Sequence, residues 1–223
     1  MEARYARNIP ALTEAECFAL RSKRVLVAGC GGLGGHIIDQ LARIGVGYLR
    51  VVDGDVFEDS NLNRQLLSSV PLLGVSKTRA AAEYVARVNP EMKVDAVEAF
   101  LTEENVRSLI AGCDLVLDAL DNIPSRKILA SACSDANIPY VYGAIAGWVA
   151  QAGVSMPGAG LEERLYPEGT VLADNSVLSF TPALCASMQV SLWVRLLTGR
   201  PVETGTICYF DLVIQEFETF PMG

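Results

Sequence analysis

Residues 24–34, Arg-Val-Leu-Val-Ala-Gly-Cys-Gly-Gly-Leu-Gly, join an apolar run to a glycine-rich turn. A second apolar run ends at Asp53, and the polar string Ser-Asn-Leu-Asn-Arg-Gln follows at residues 60–65. This pattern is typical of a nucleotide site, because glycines let backbone N–H groups approach phosphate and a carboxylate at the next strand end accepts ribose hydroxyls. Arg64 in the polar string lies outside an ordinary dinucleotide fingerprint, which favours a triphosphate over hydride transfer.

Composition and charge exclude several classes of protein. The chain has 223 residues, 51% of them hydrophobic and 20% charged, which suits one domain with a large core. A net charge of −8 argues against nucleic acid as a partner. No apolar stretch reaches the length of a membrane span and residues 1–7 lack an apolar signal region, so we expect a cytoplasmic protein without a membrane partner. The six cysteines form no C-x-x-C pair, which disfavours a disulfide framework and a four-thiolate zinc site.

Strand and helix patterns alternate over the first 140 residues. This alternation predicts an α/β fold that is Rossmann-like and doubly wound, with a mainly parallel sheet and C-terminal antiparallel strands. The predicted strands cover residues 24–28, 48–53, 92–97, 114–118, 140–146 and 150–155, with one or two more in 206–218. The predicted helices cover residues 13–21, the stretch from the glycine turn to 44, and residues 77–88, 103–110, 124–136 and 180–197. Residues 54–75 read as a long loop with room for one short helical turn, and residues 156–176 as irregular.

Several polar residues follow strands that are predicted to be parallel. Because such strands end at one edge of a sheet, Gly31, Asp53 and residues 118–122 are expected to face one crevice. Arg64 and Lys77 supply positive charge for phosphoryl oxygens, and Asp121 supplies an oxygen ligand for magnesium. Two plainer interpretations stay open: Lys77 as a solvated helix start, and the carboxylate of Asp121 as a cap for the helix near residue 124.

The motifs, taken together, resemble the ThiF/MoeB/HesA family, the bacterial relatives of ubiquitin-activating enzymes. The resemblance runs from residue 4 to about residue 213 and is most specific in Asn-Leu-Asn-Arg-Gln at 61–65. The other matching strings are Arg-Tyr-Ala-Arg at 4–7, Gly-Cys-Gly-Gly-Leu-Gly at 29–34, Val-Asp-Gly-Asp at 52–55, Gly-Val-Ser-Lys at 74–77, Asn-Pro at 89–90, Asp-Ala-Leu-Asp-Asn at 118–122 and Ser-Met-Gln at 187–189.

The resemblance implies a reaction and a partner. Such enzymes bind Mg-ATP and adenylate the C-terminal glycine carboxylate of a small ubiquitin-like sulfur carrier, of the ThiS or MoaD kind, with release of pyrophosphate. It also implies one ThiF-type domain over 1–223, made of an N-terminal helical arm (1–22), a nucleotide-binding half (23–146) and a carrier-binding and dimer half (147–223).

Site roles follow from the same resemblance, residue by residue. Arg7 matches an arginine that reaches into the ATP site of the partner subunit, so the active unit is expected to be a homodimer. Catalytic roles fall on Arg7, Arg64, Lys77 and Asp121. Nucleotide contacts fall on Gly31, Gly32, Asp53 (ribose), Ser60, Asn61, Arg64, Lys77, Asp121 (through magnesium) and Asn122.

The sequence departs from the family in two places. Many relatives hold zinc through two C-x-x-C pairs, but residues 156–165 and 211–223 contain no cysteine, which predicts no zinc site. Relatives that form a thioester or persulfide carry a cysteine in a crossover loop; here residues 166–176 contain none, and Leu172 stands at the equivalent position. Cys185 reads as a buried core residue. We therefore expect adenylation without a covalent enzyme intermediate, on a ubiquitin-like carrier or on another carboxylic acid.

Two other functions remain as alternatives. A nucleotide-binding family member without turnover would fit the loss of the zinc and loop cysteines. An NAD-dependent oxidoreductase would fit the glycine turn and Asp53 alone. It lacks an obvious proton donor, because the single histidine, His36, follows the glycine turn and reads as a packing residue.

Overall fold

One mixed sheet runs through the computed structural model, which describes residues 2–170 and 176–222. Its strands are β1 (Arg24–Ala28), β2 (Tyr48–Val52), β3 (Lys93–Val97), β4 (Leu115–Asp118), β5 (Tyr140–Ala146), β6 (Val149–Ser155), β7 (Thr206–Asp211) and β8 (Glu216–Pro221). They lie in the order β3-β2-β1-β4-β5-β6-β7-β8. Strands β1 to β5 pair in parallel, and β6 to β8 continue the sheet as antiparallel strands.

Helices cover both faces of this sheet. They are α1 (Glu14–Arg21), α2 (Gly32–Ile44), α3 (Lys77–Val88), α4 (Val106–Ile110), α5 (Ile123–Asp135), α6 (Leu161–Leu165) and α7 (Phe180–Leu197). Alternate residues of β1 divide the core: Val25 and Val27 pack with α1, α2, α3 and α7, whereas Leu26 and Ala28 pack with α4 and α5. Helix α7 lies against β5, β6 and α2 and buries its cysteine and tryptophan completely or nearly so.

The sheet matches the predicted α/β, doubly wound architecture, including its antiparallel C-terminal strands. Three details differ from the sequence expectations. Helix α4 begins at Val106, three residues later than predicted. A short helix, α6, lies in a segment that reads as irregular because glycine and proline surround it. Helix α7 is long and apolar enough to cross a membrane by length and composition alone, contrary to the expectation that no stretch is. A helix that packs on a sheet and on α2 is apolar for the same reason, since burial selects the same residues.

The glycine-rich turn is required by close packing between β1, α2 and the end of β4. Gly29 has φ +98°, and a β-carbon there would lie 2.5 Å from the carbonyl oxygen of Ala119. A β-carbon at Gly34 would lie 1.9 Å from the carbonyl oxygen of Gly29. Only glycine fits at both positions, so α2 can begin close to the strand ends. The N-terminus of α2 therefore points to the gap between β1 and β4, where the strand order reverses.

Candidate active site

A cavity of about 700 Å³ lies at the carboxyl ends of β1, β2 and β4. The structure brings seven of the predicted site residues to its walls: Gly31, Gly32, Asp53, Arg64, Lys77, Asp121 and Asn122. The predicted crevice therefore exists, and the N-terminus of α2 opens into it. Backbone N–H groups at that helix end favour a bound anion.

Asp53 stands at the end of β2 and is held by backbone donors. Its Oδ2 accepts a hydrogen bond from the Cys30 N–H at 2.7 Å, and its Oδ1 accepts one from the Asp55 N–H at 2.9 Å. Burial nevertheless raises the pKa of the Asp53 carboxyl above its ordinary value. The hydrogen bond from Cys30 ties the ribose-binding candidate directly to the glycine turn.

Lys77 begins α3 with its ammonium group inside the protein. The residue is 7% exposed, and its Nζ lies 3.0 Å from Oδ2 of Asp55, whose side chain is 54% exposed. The interpretation of Lys77 as a solvated helix start is therefore wrong. A buried cation with a single, half-exposed counter-ion at a cavity wall is suited to bind a second anion.

Arg64 reaches the same cavity from the polar loop. Its Nη1 donates to the carbonyl of Ser60 and to Oδ1 of Asn63, both at 2.9 Å. A β-carbon at Gly32 would lie 3.5 Å from Cγ of Arg64, so the glycine leaves room for the stem of the arginine. The guanidinium is thereby oriented by its own loop, with donors left over for a ligand.

Two other predicted residues of this loop do not line the cavity. Asn61 is 8% exposed, and its Oδ1 accepts a hydrogen bond from the Glu58 N–H at 3.0 Å, which closes a short helical turn. The hydroxyl of Ser60 lies 3.5 Å from Nδ2 of Asn61. Both side chains shape the loop that carries Arg64, and their direct contact with a nucleotide stays a prediction.

Gln65 is a cavity residue whose role the sequence did not suggest. It is 6% exposed, and its Oε1 has no hydrogen-bond partner among the described residues. Its Nε2 lies beside the glycine turn, 3.5 Å from the position of a β-carbon on Gly31. A buried, unpaired acceptor at a cavity wall fits a ligand that brings a donor, such as a ribose hydroxyl or metal-bound water.

Asn122, not Asp121, caps the helix that begins near residue 124, which leaves Asp121 for the predicted metal-binding role. Oδ1 of Asn122 accepts a hydrogen bond from the Ser125 N–H at 2.9 Å, so Asn122 is the N-cap of α5. Its Nδ2 donates to Oδ1 of Asp121 at 3.3 Å. The carboxylate of Asp121 is consequently not used as a cap; it lines the cavity and, beyond the bond from Asn122, has lone pairs left for a metal ion. Magnesium prefers such carboxylate oxygens.

The sequence also gave no indication of a buried ion pair, Arg126 with Asp118, next to the segment that carries Asp121. Nη1 of Arg126 donates to Oδ2 of Asp118 at 2.9 Å and to the carbonyl of Gly143 at 2.7 Å, and its Nη2 donates to the carbonyl of Leu120. The Tyr140 hydroxyl donates to the same Asp118 oxygen at 2.6 Å. These bonds join β4, β5 and α5 below the segment that carries Asp121. Asp118 and Arg126 are eight residues apart on different elements, and no helix or strand periodicity relates them.

Arg7 and Cys185 do not line the cavity. Arg7 is exposed in a 3₁₀ turn, Ala3–Asn8, and is not a cavity residue of its own chain. Cys185 is fully buried, and burial raises the pKa of its thiol to about 12, so it stays neutral. Leu172 lies outside the described residues. Among the described residues, no cluster of three metal-ligating side chains is present.

Residues 5–223 match the model of the ThiF family. The chain belongs to this family. The SAMP-activating enzyme E1 of Haloferax volcanii is 39% identical over 210 residues, which cover 91% of this chain and 77% of that protein. The molybdopterin-synthase adenylyltransferase of Salmonella typhimurium is 34% identical over 207 residues, which cover 89% and 83%. The probable adenylyltransferase/sulfurtransferase MoeZ of Mycobacterium tuberculosis is 37% identical, and this ThiF-family chain spans 59% of its length.

Solved structures have the same fold. MccB of E. coli, solved with ATP, superposes with a TM-score of 0.85 over 100% of this chain and 72% of its own, at 20% identity. The E. coli tRNA N6-threonylcarbamoyladenosine dehydratase TcdA, also solved with ATP, gives a TM-score of 0.75 over 88% and 94%, at 22% identity. At these identities the likeness concerns the Rossmann-type sheet and its helices.

Proposed function

We propose that this protein is an ATP-dependent adenylyltransferase that activates the C-terminal glycine carboxylate of a small ubiquitin-like sulfur carrier. One observation carries the proposal: two cationic side chains, Arg64 and Lys77, and the carboxylate of Asp121 line one cavity around a helix N-terminus. A hydride-transferring site needs no such charge set. The adenylyltransferase and SAMP-activating relatives support the same reaction class.

The chain's own residues would act mainly by position and charge. Asp53 holds the ribose, and the N–H groups around Gly32 with Arg64 and Lys77 hold the phosphates. When the carrier carboxylate attacks the α-phosphorus, negative charge grows on the phosphoryl oxygens and on the departing pyrophosphate. Arg64 and Lys77 stabilise that charge without rearrangement, because their loop and their burial already orient them. Magnesium, when bound at Asp121, would neutralise further phosphate charge.

The proposal places no covalent intermediate on the protein. The products are the carrier acyl-adenylate and pyrophosphate, and the carboxylate oxygen that attacks phosphorus becomes the bridging oxygen of the adenylate. The neutral, buried thiol of Cys185 supports this view, since only a thiolate is a competent nucleophile. We further propose a cytoplasmic homodimer without nucleic-acid or membrane partners.

The proposed role of Arg7 requires a dimer. It does not line the cavity of its own chain, so it can act only on a neighbouring subunit or not at all. Arg7→Ala should lower adenylation while ATP binding persists, because an arginine finger acts on developing charge. In verified heterodimers of Arg7→Ala with Asp121→Ala subunits, one site keeps both residues and activity should return. Heterodimers that remain inactive would remove Arg7 from the reaction.

Calorimetry tests the nucleotide site first. Mg-ATP and NAD are titrated separately into wild-type protein, Asp121→Ala and a control, Asp135→Ala, whose exposed carboxylate pairs with Arg107 at the far end of α5. We expect Mg-ATP binding that only Asp121→Ala weakens, by about tenfold for one lost charged contact. Tight NAD binding that is indifferent to Asp121 would instead support an oxidoreductase.

Turnover then separates an enzyme from a nucleotide-binding protein. ATP–pyrophosphate exchange is measured with the SAMP of the Haloferax relative and with small ubiquitin-like proteins that end in glycine. The same carriers without the final glycine are the controls. We expect exchange only with intact carriers. Mg-ATP binding without exchange across the panel would favour the non-catalytic alternative.

A further inference from the structure

The N-terminal turn, Ala3–Asn8, is fixed to the body by side chains on one of its faces. The ring of Tyr5 is 4% exposed and lies against Gly45, where φ is +98° and a β-carbon would be 2.7 Å from Cε1 of the ring. The hydroxyl of Tyr5 accepts a hydrogen bond from Nδ2 of Asn89 at 2.8 Å. Asn8 adds a hydrogen bond from its Nδ2 to the carbonyl of Ile44 at 3.3 Å.

Asn89 is the residue on which these contacts converge. It is 2% exposed and ends α3, with its backbone N–H donating to the carbonyl of Val85 at 2.7 Å. Its Nδ2 also donates to the carbonyl of Ala42 at 2.9 Å, and its Oδ1 accepts from Nη1 of Arg4 at 3.1 Å. A buried amide whose donors and acceptor are all used has one orientation. Asn89 therefore ties the turn to the C-terminal ends of α2 and α3.

This attachment leaves one cation of the turn free. A 3₁₀ helix has about three residues per turn, so Tyr5 and Asn8 share the face that contacts the body, while Arg4 and Arg7 share another. Arg4 folds back onto Asn89. Arg7 is exposed, has no hydrogen bond or ion pair within residues 2–170 and 176–222, and lies outside the cavity of its own chain.

We propose that Tyr5 and Asn89 are positioning residues that present Arg7 to the nucleotide site of a second copy of this chain. The inference rests on the proposed function. The tyrosine–asparagine bond fixes the base of the turn on one subunit, and the guanidinium of Arg7 projects from it toward the triphosphate on the other. A charged donor that must meet developing charge loses most of its effect when its position is off by an ångström.

Tyr5→Phe removes the hydroxyl and keeps the ring beside Gly45. The control is Tyr48→Phe, which loses a hydroxyl that donates to Asp95 of β3 at 2.9 Å and accepts from Arg50 at 3.3 Å. With ATP–pyrophosphate exchange as the readout, we expect kcat to fall about tenfold in Tyr5→Phe, with the KM for ATP within about twofold of wild type. Tyr48→Phe should retain wild-type kcat. In an Arg7→Ala background, Tyr5→Phe should bring no further loss of kcat.

Subunit mixing distinguishes positioning from general damage. In heterodimers of Tyr5→Phe with Asp121→Ala subunits, the competent site receives an intact arm, so we expect full activity per competent site. Heterodimers of wild type with a Tyr5→Phe/Asp121→Ala double variant should keep the defect, because the competent site receives the altered arm.

Two results would overturn the inference while leaving the proposed function intact. One is wild-type kcat in Tyr5→Phe. The other is a defect that stays with the subunit that carries both the substitution and the competent site. A wild-type protein that shows no exchange with any carrier in the panel would overturn the proposed function and this inference together.

Discussion

At the scale of single residues, the candidate site is built from side chains that are oriented before a ligand arrives. Lys77 is held by Asp55, Arg64 by its own loop, and Asp53 by two backbone N–H groups. Reorganisation on binding is therefore small. The half-exposed carboxylate of Asp55 is the group that a phosphate would displace from Lys77, which keeps the cation paired in both states.

Gln65 gives the residue-scale prediction with the most specific signature. Gln65→Met keeps the shape of the side chain and removes a buried, unpaired acceptor. We expect the free energy of unfolding to rise by about 1 kcal/mol, because no unsatisfied group remains, and the Kd for Mg-ATP to rise about tenfold. Urea unfolding and calorimetry measure the two effects. Gln40→Met, whose amide donates to Ser187, is the control. A variant that is less stable and binds ATP normally would contradict a ligand-binding role.

His36 provides a pH prediction because it is the only histidine. Burial lowers its pKa below the ordinary value. Between the folded and unfolded pKa values the unfolded chain binds more protons, so stability rises with pH through that window and is lost on acidification. We expect wild-type protein to lose more stability than His36→Gln between pH 7.5 and 5.5, measured by urea unfolding. Parallel pH profiles for the two proteins would show that His36 is not responsible.

At the scale of elements, the segment between β4 and α5 is held in place by hydrogen bonds from buried side chains. Its carbonyls and side chains bond to Arg126, to Tyr140 and to Gln189, whose Nε2 donates to the carbonyl of Asp118 at 2.8 Å. Asp121 projects from this segment into the cavity. A fixed base under a metal-binding carboxylate preserves its geometry when phosphates arrive.

The ion pair between Arg126 and Asp118 gives a stability prediction: loss of Arg126 destabilises the protein, and a second substitution at Asp118 restores part of the loss. Arg126→Met leaves Asp118 buried without its cation, which costs about 3–5 kcal/mol in the free energy of unfolding. Adding Asp118→Asn removes the unpaired charge and should restore a large part of that loss, as measured by urea unfolding. The losses of the single variants would then be far from additive. Additive losses would show that the two side chains do not act as a pair.

Local signals explain which elements the sequence predicts. Helices α2, α3 and α7 end shortly before glycine or proline, and their predicted C-terminal ends match the structure at Ile44, Val88 and Leu197. Helix α6 is five residues long, too short for a periodic signal. In the site, the glycine turn and Asp53 follow from position after strands, whereas Lys77 is indicated by its charge at a helix start and by the family resemblance. Arg126 does not, because its partners Asp118 and Gly143 are related only by the folded sheet.

At the scale of the whole molecule, the sheet changes character from one side to the other. Strands β1 and β4 are covered on both faces and end at the nucleotide cavity, whereas β8 is an edge strand with all six residues exposed. Phe217 is 58% exposed on that edge, between the charged residues Glu216 and Glu218. Flanking charges of this kind oppose uncontrolled strand pairing.

Amide hydrogen exchange should be slow in the buried strands and fast in the exposed edge strand β8. Within residues 2–170 and 176–222 the amides of β8 pair only with β7, so we expect them to open without unfolding of the core. The amides of β1 lie between β2 and β4 and are expected to exchange only in global opening. We expect peptides over residues 216–221 to exchange more than about 100-fold faster than peptides over residues 24–28. Mass spectrometry on wild-type protein and on Phe217→Ser, which removes an exposed aromatic ring, gives the comparison. If β8 were as protected as β1 in wild-type protein, and Phe217→Ser removed the protection of β8, the edge would not be free. Another chain would then cover β8 in solution.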